Sequence, residues 1–247
     1  MKILVSNDDG YLAPGLNILV DSLKKIADVI VVAPDKNKSG SSSSLSLNKE
    51  VAVNKINPML YSVEGTPTDC VHIALTGLIP FKPDMVISGI NDGANMGDDT
   101  IYSGTVGAAM EGFLLGIPSI AVSMGSSEPK YFETAAKVII ELITKHNKQP
   151  PKNVTLLNIN VPDVPYSEIK GLEITRLGKR YEAQPAIRGS EKDGQDIFWV
   201  GPVGEPNDGG PGTDFFAIMN NYVSISPIQS DLTNHNEINP IKKWMEL

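Results

Sequence analysis

The strongest constraint on the fold is a repeated alternation along the first two thirds of the chain. Short apolar runs end in polar, glycine-containing loops, and most are followed by an amphipathic stretch. These runs lie at 2–6, 28–33, 83–88, 118–123 and 154–161. Apolar runs of this length, bounded by turn residues, are typical of strands buried on both faces of a parallel sheet. The alternation therefore predicts an α/β fold with a doubly wound sheet.

The helical stretches are predicted from apolar spacing and from their caps. Leu16, Leu19 and Leu23 follow Pro14 with the spacing of one helix face. Ser103 is the predicted N-cap of a later helix, and Thr68 or Asp69 is predicted to cap another. The predicted helices span 14–23, 70–77, 104–115 and 133–145, and two further strands are predicted near 50–53 and 60–64.

The pattern changes after about residue 165. Charged stretches rich in Gly and Pro interrupt short β-like segments at 172–176, 197–200 and 222–227. We interpret residues 1–165 as the α/β core and 166–247 as an extension of β-hairpins and an arm. The whole chain, 1–247, is then one domain. Such arms often mediate contacts between subunits.

The charge balance excludes several classes of partner. The 247 residues carry 29 acidic and 21 basic side chains, a formal net charge of −8. Proteins that bind long nucleic acids or anionic membrane surfaces need clustered Lys and Arg, and the negative balance argues against both. The start of the chain turns acidic before a signal peptide could form, and a lone cysteine, Cys70, fits a reducing compartment. These features predict a cytoplasmic protein.

Two adjacent acids follow the first predicted strand. Asp8 and Asp9 come directly after its carboxyl end, which is the edge of an open α/β sheet where ligands bind. Neighbouring carboxylates repel each other unless a cation neutralises them, and oxygen ligands favour Mg²⁺, Mn²⁺ or Ca²⁺ over zinc. The alternative is a plain Asp9-Gly10 turn leading into the helix.

A second candidate is the predicted helix start at Ser103-Gly104-Thr105. Unpaired backbone N–H groups and the helix dipole favour an anion there, and the glycine lets a phosphate approach closely. The alternative is an ordinary serine cap. Asn91 follows the 83–88 strand and is predicted to share the crevice with Asp8, whereas Ser39-Gly40-Ser41, taken alone, is typical of a flexible linker.

Other familiar sites are absent from the sequence. It has no G-x-G-x-x-G after the first strand, no P-loop and no G-x-S-x-G elbow. The 89–99 loop lacks the spacing of an EF-hand, so its acids Asp92, Asp98 and Asp99 are interpreted as solvated. Cys70 is predicted to be a small buried residue, and none of the three histidines is placed as a general base.

Six ordered blocks of the chain carry a family resemblance. In chain order they are 3–10 (ILVSNDDG) with 13–15 (APG), 32–35 (VAPD) with 38–41 (KSGS), 65–71 (GTPTDCV), 88–97 (SGINDGANMG), 102–109 (YSGTVGAA) and 116–121 (GIPSIA). These blocks resemble the SurE family of stationary-phase survival nucleotidases, with weaker similarity at 158–162, 175–176 and 222–227. The resemblance implies a Rossmann-like three-layer sandwich.

The resemblance also implies an activity and a set of residues. It implies a metal-dependent 5′-nucleotidase, a phosphoric monoester hydrolase acting on nucleoside 5′-monophosphates, with 3′-monophosphates and short polyphosphate as further substrates. One divalent cation per subunit, Mg²⁺ or Mn²⁺ with Ca²⁺ able to take its place, is expected on Asp8, Asp9, Ser39 and Asn91. Phosphate is expected on Asn95, Ser103, Gly104 and Thr105. A homodimer or homotetramer through the C-terminal arm is implied as well.

The two acids are also the candidate catalytic residues, and alternatives stay open. Asp8 or Asp9 could accept a proton from an attacking water, or a carboxylate could attack through a phospho-enzyme. A receiver-like phospho-acceptor shares paired acids after the first strand, but no lysine follows the 118–123 strand to contact the phosphoryl group. A non-catalytic nucleotide-binding module is the third reading.

Overall fold

A computed structural model describes residues 1–192 and 194–246. It contains one large sheet, flanking helices and two small two-stranded sheets. The strands within these residues are β1 (Lys2–Ser6), β2 (Asp28–Pro34), β3 (Val53–Asn57), β4 (Leu60–Val63), β5 (Met85–Asn91), β6 (Ser119–Met124), β7 (Leu156–Val161), β8 (Gly171–Ile174), β9 (Lys179–Arg180), β10 (Ile187–Arg188), β11 (Phe198–Trp199), β12 (Pro206–Asp208) and β13 (Tyr222–Ile228).

The helices begin and end near the start and stop signals of the sequence. Proline opens α1 and α2 at the position where its missing N–H costs nothing. The α-helices of the described chain are α1 (Pro14–Leu23), α2 (Pro67–Ile73), α3 (Gly104–Leu114), α4 (Phe132–Lys148), α5 (Asp214–Met219) and α6 (Ile238–Trp244). A π-helical turn at Ala74–Leu78 continues α2, and a 3₁₀ turn at Gly97–Ile101 precedes α3.

The large sheet has the order β3-β4-β2-β1-β5-β6-β7-β13-β8. The run from β4 to β7 is parallel. β3 pairs antiparallel with β4, whereas β13 pairs antiparallel with β7 and parallel with β8. The chain moves outward from β1 to β2 on one side and to β5 on the other, so the strand order reverses between β1 and β5. Ligands bind outside the carboxyl ends of strands at such a switch point.

Helices cover both faces of this sheet. On one face α1 packs against α4, and on the other α2 packs against α3. Each face carries its own buried apolar cluster, one containing Leu16 and Ile139, the other containing Val71 and Ala108. The predicted doubly wound three-layer α/β architecture is confirmed.

Most core elements lie within a few residues of their predicted bounds, and Ser103 is confirmed as the N-cap of α3. Two of the predicted element starts were wrong. The cap of α2 is Thr66, whose hydroxyl accepts from the Asp69 N–H while Asp69 bonds back to the Thr66 N–H, a capping box. The strand expected at 50–53 begins at Val53, because an exposed edge strand carries little apolar signal.

The division at residue 165 does not match the sheet. β8 and β13, both from the C-terminal part, form one edge of the large sheet, and Val223 and Ile225 of β13 are buried in the core. Their pairing is long-range, so local patterns could not place them. The hairpin expected around 197–200 is present as β10 and β11, whereas α5 and α6 were not predicted.

No helix among the described residues is both long enough and apolar enough to span a membrane.

Candidate functional site

A cleft of about 310 Å³ opens at the switch point. Three segments at the carboxyl ends of β1, β2 and β5 line it together with the start of α3. Its lining includes Asp8, Ser39, Asn91, Asn95 and Ser103 from the predicted site residues, joined by Gly40, Asp92, Gly93, Ala94, Asp99, Tyr102 and Val203. Five of the eight predicted site residues therefore meet on one surface, although they lie in four separate stretches of sequence.

Asp8 lies at the base of the cleft and is almost fully buried. Its Oδ1 accepts a short hydrogen bond from the Thr105 hydroxyl. Burial raises the pKa of Asp8, while the Thr105 hydroxyl and the backbone amides of Thr105 and Gly104 act in the opposite direction. The start of α3 thus partly offsets the cost of burying this carboxylate.

Asp9 lies beside the cleft rather than among its lining residues. Its Oδ2 accepts from the Asp92 N–H at 3.2 Å, and its Oδ1 is 3.4 Å from the side-chain amide of Asn37. Burial, and next the charge of Asp8, raise the pKa of Asp9 to about 6. The carboxylate of Asp8 therefore disfavours the ionised form of Asp9.

Hydrogen bonds hold the loop that carries Ser39 beside Asp8 and the start of α3. The Lys38 N–H donates to the Asp8 carbonyl at 2.7 Å, and the Ser42 N–H donates to the Tyr102 carbonyl at 3.0 Å. The Ser42 hydroxyl adds a bond to the Ile101 carbonyl at 2.7 Å. The reading of this segment as a flexible linker was wrong, because contacts distant in sequence fix its backbone.

An irregularity in β5 sets the position of Asn91. The pairing register between β5 and β6 shifts between Ser88 and Asn91, a bulge of the kind that re-aims side chains near functional sites. Gly89 has φ of +132°, and a side chain there would meet the Val122 carbonyl oxygen at 2.2 Å, so the bulge requires glycine. The Asn91 amide nitrogen donates to the Gly93 carbonyl at 2.8 Å. This bond leaves the amide oxygen of Asn91 as the atom that could coordinate a cation.

Asn95 is held by a buried amide network. Its N–H donates to Asn160 Oδ1 at 2.9 Å, and its carbonyl accepts from the side-chain amides of Asn158 and Asn160. Its own Nδ2 donates to the Ser123 hydroxyl at 2.8 Å. Strands β6 and β7 therefore fix both the backbone and the side chain of Asn95, with a second Nδ2 hydrogen left for a ligand.

The start of α3 lies directly against Asp8. Ser103 caps the helix by accepting from the Val106 N–H at 3.1 Å. A methyl group on Gly104 would lie 2.9 Å from Asp8 Cβ and 2.6 Å from the Ser41 hydroxyl. Glycine at this position lets α3 lie in contact with both Asp8 and the loop that carries Ser41. Gly104 and Thr105 do not line the cleft; in this structure they contact Asp8.

The donor set fits a hard cation. Within residues 1–192 and 194–246, neither Asp8 nor Asp9 pairs with a Lys or Arg. The Ser41 hydroxyl beside Asp8 is buried and has no hydrogen-bond partner in the same residues. Two acids with neutral oxygens suit Mg²⁺ or Mn²⁺. The described chain has no group of three or more His, Cys, Asp or Glu placed to hold a metal, so a cation here would depend on the two acids together with neutral oxygens.

Cysteine and histidine lie outside the cleft in the described chain. Cys70 is fully buried in α2, and burial raises the pKa of its thiol. His72 Nδ1 lies 2.7 Å from Glu111 Oε1, between α2 and α3. His146 is near the end of α4, and His235 pairs with Asp231. The expectation that Cys70 is a small buried residue is confirmed.

Sequence reasoning missed several residues around the site. Asn158 and Asn160 alternate with Ile159 in a buried strand, and buried amides in an apolar strand are a signal that could have been used. Asp99 was interpreted as solvated, but it pairs with Arg180 at 2.7 Å. Val203 comes from the C-terminal extension and had no local signal.

Fold and cleft together define a Rossmann-like α/β protein with an acidic, oxygen-lined ligand site at the switch point of its sheet. A family model described as "Survival protein SurE" matches residues 3–184. The chain is 56% identical over 247 residues to a protein of Methylobacillus flagellatus named 5′-nucleotidase SurE, with 100% of both chains covered. It is 53% identical over 247 residues to the one of that name from Nitrosomonas europaea, again covering 100% of both.

A solved structure agrees with these relatives. The crystal structure of the SurE protein from Aquifex aeolicus superimposes with a TM-score of 0.87 at 42% identity, covering 99% of this chain and 100% of that one. The chain belongs to the SurE family.

Proposed function

We propose that this protein is a metal-dependent 5′-nucleotidase that hydrolyses nucleoside 5′-monophosphates to nucleoside and phosphate. The observation that carries the proposal is a pair of adjacent acids without a Lys or Arg partner in the described chain, buried Asp8 and half-buried Asp9. They lie at a cleft lined by Ser39, Asn91 and Ser103. The names of the relatives from Methylobacillus flagellatus and Nitrosomonas europaea support the substrate class.

Asp8, Asp9, Ser39 and Asn91 would hold one divalent cation, Mg²⁺ or Mn²⁺, with Ca²⁺ able to occupy the same oxygens. A cation there supplies Lewis-acid stabilisation to a phosphoryl oxygen. It would also offset the burial that raises the pKa of both carboxylates and, at Asp9, the repulsion from Asp8.

The start of α3 would receive the phosphate. Asn95 and Ser103 line the cleft, and the N–H groups of Gly104 and Thr105 follow at the helix terminus, where an anion is favoured. In this structure the Asp8 carboxylate interacts with these two amides. If Asp8 held a cation, these two amides would be free to donate to equatorial phosphoryl oxygens, where charge accumulates in the transition state.

Asp8 and Asp9 are the proposed catalytic residues. Monoester hydrolysis is very slow without catalysis, so the site must stabilise the transition state strongly. One carboxylate oxygen would accept the proton of an attacking water. Attack by the carboxylate itself, through a phospho-enzyme, uses the same residues. Nucleoside 3′-monophosphates and short polyphosphate present the same terminal phosphoryl group and are proposed as further substrates in the cytoplasm.

The assembly is proposed to be a homodimer or homotetramer formed through the C-terminal arm. The arm ends in α6, whose Ile238, Ile241 and Trp244 are all exposed. Exposed apolar side chains at this spacing mark a face that packs against another surface. Sedimentation velocity is expected to give a mass of two or four 26.6 kDa chains, and a single-chain mass would contradict the assembly.

The nucleotidase proposal is tested by phosphate release. The protein is expected to release phosphate over many turnovers from a nucleoside 5′-monophosphate in Mg²⁺ or Mn²⁺, and to stop when a chelator is added. Stoichiometric labelling without turnover would support the receiver-like alternative. Tight nucleotide binding with neither labelling nor release would indicate a non-catalytic module, and either result would overturn the proposal.

A further inference from the structure

The cleft has an apolar wall that the proposed phosphate chemistry does not use. Its polar lining belongs to the acid, serine and asparagine side chains described above. Tyr102 and Val203 line the same cleft, with 69% and 60% of their surfaces exposed. Their position in the cleft, rather than their exposure, distinguishes them, because covering apolar surface with a ligand is favourable.

The backbone of Tyr102 is fixed although its ring is exposed. The Tyr102 N–H donates to the Asp99 carbonyl at 3.0 Å, and the Tyr102 carbonyl accepts from the Ser42 N–H at 3.0 Å. The next residue, Ser103, is the cap of α3. The backbone that carries the ring is thus fixed one residue from the proposed phosphate position, so only the side-chain torsions of Tyr102 are ordered when a ligand binds.

Val203 is brought to the cleft by a segment from far along the chain. The Gln184 N–H bonds to the Pro202 carbonyl and the Tyr181 N–H to the Glu205 carbonyl, each at 2.9 Å. These bonds bracket Val203 and hold its segment against residues 181–184.

Arg180 ties this segment to the turn that precedes Tyr102. Its guanidinium donates to Asp99 Oδ2 at 2.8 Å and to the Gly204 carbonyl at 3.0 Å. Its backbone N–H also bonds to Asp98 at 2.9 Å. One partly buried cation therefore links the segments that carry the two apolar residues of the cleft.

We propose that Tyr102 and Val203 form the subsite for the nucleobase of the substrate, with Arg180 as the positioning residue for both. The proposal rests on the proposed nucleotidase function and adds the part of the site that separates nucleotides from simple phosphate esters. An aromatic ring and an aliphatic side chain recognise a flat base by stacking and apolar contact, which every base offers. The subsite accordingly accepts purine and pyrimidine nucleotides alike.

Tyr102→Ala is the direct test, read as a ratio of two substrates. A nucleoside 5′-monophosphate carries a base, whereas ribose 5-phosphate presents the same phosphate and sugar without one. Stacking of a base on an aromatic residue predicts that Tyr102→Ala lowers the ratio of kcat/KM for the nucleotide to kcat/KM for ribose 5-phosphate by roughly tenfold, mainly through KM. Tyr102→Phe keeps the ring and is expected to retain the ratio.

Ile101→Ala is the matched control. Ile101 is the adjacent residue and is 63% exposed, but it is not among the residues lining the cleft. Its substitution is expected to leave the ratio unchanged. An unchanged ratio in Tyr102→Ala, with the wild-type protein active on both substrates, would overturn the base subsite alone. A wild-type protein inactive on both substrates would instead overturn the nucleotidase function.

Discussion

Asp8→Asn is expected to lower kcat/KM for a nucleoside 5′-monophosphate by about a thousandfold or more, because it removes one of two carboxylates proposed to hold the cation. Losing several kcal/mol of transition-state stabilisation corresponds to that factor. The fold should persist, since asparagine keeps an oxygen that can accept from the Thr105 hydroxyl. The substitution also removes the repulsion that raises the pKa of Asp9. Phosphate release in saturating Mn²⁺ measures the loss, and thermal unfolding checks the fold.

Asp28→Asn is the matched control for this change. Asp28 is an exposed acid that begins β2, at the opposite end of the strands from the cleft. The same loss of one negative charge there should leave kcat/KM within about twofold, because exposed distant charges are screened by salt. Comparable losses in the two variants would attribute the effect of Asp8→Asn to overall charge and would contradict a local role.

Gly104→Ala is expected to reduce kcat/KM by about a hundredfold while the protein stays folded. The added methyl group would lie 2.6 Å from the Ser41 hydroxyl, 2.9 Å from Asp8 Cβ and 3.0 Å from Asp8 Oδ2. Asp8 and the loop that carries Ser39 must then move apart, and a displacement of about 1 Å at a reacting centre costs this much in rate. Steady-state kinetics with a nucleoside 5′-monophosphate measures the effect.

Gly77→Ala separates this steric effect from the general effect of alanine in a helix. Gly77 lies in the π-helical turn after α2, and a methyl group there would meet no atom within 4 Å. The Gly77→Ala variant is expected to have the kcat/KM of the wild-type protein. Full activity of the Gly104→Ala variant would contradict the prediction, because it would show that turnover does not need the close contact between α3 and Asp8.

The sequence predicted those parts of the fold that local signals determine. The strands of the core are short apolar runs, and Ser103 marks the start of α3, so both were placed to within a few residues. The α2 start was misplaced by two or three residues because Thr66 and Asp69 act together as a box with Pro67 between them. The correct signal was present, but it lies in the pair rather than in either residue.

Long-range pairing could not be predicted from the sequence. β13 lies between β7 and β8, and nothing local in Tyr222–Ile228 indicates an antiparallel neighbour at the far side of the sheet. The residues of the cleft likewise divide into those that local signals place and those that only tertiary contacts place. Asp8 and Asn91 were expected together because the carboxyl ends of parallel strands meet at one edge of the sheet. The bond between Asn160 and Asn95 and the presence of Val203 in the cleft depend on tertiary contacts instead.

The central claim is that the acids at the end of β1 hold a divalent cation, and a calorimetric Mn²⁺ titration of the metal-free protein tests it most directly. One Mn²⁺ per chain is expected for the wild-type protein and for Asp28→Asn. Asp8→Asn should bind at least about a hundredfold more weakly, because a carboxylate ligand contributes several kcal/mol to a hard cation. Equal affinity in the wild-type protein and Asp8→Asn, or no binding to either, would contradict the account.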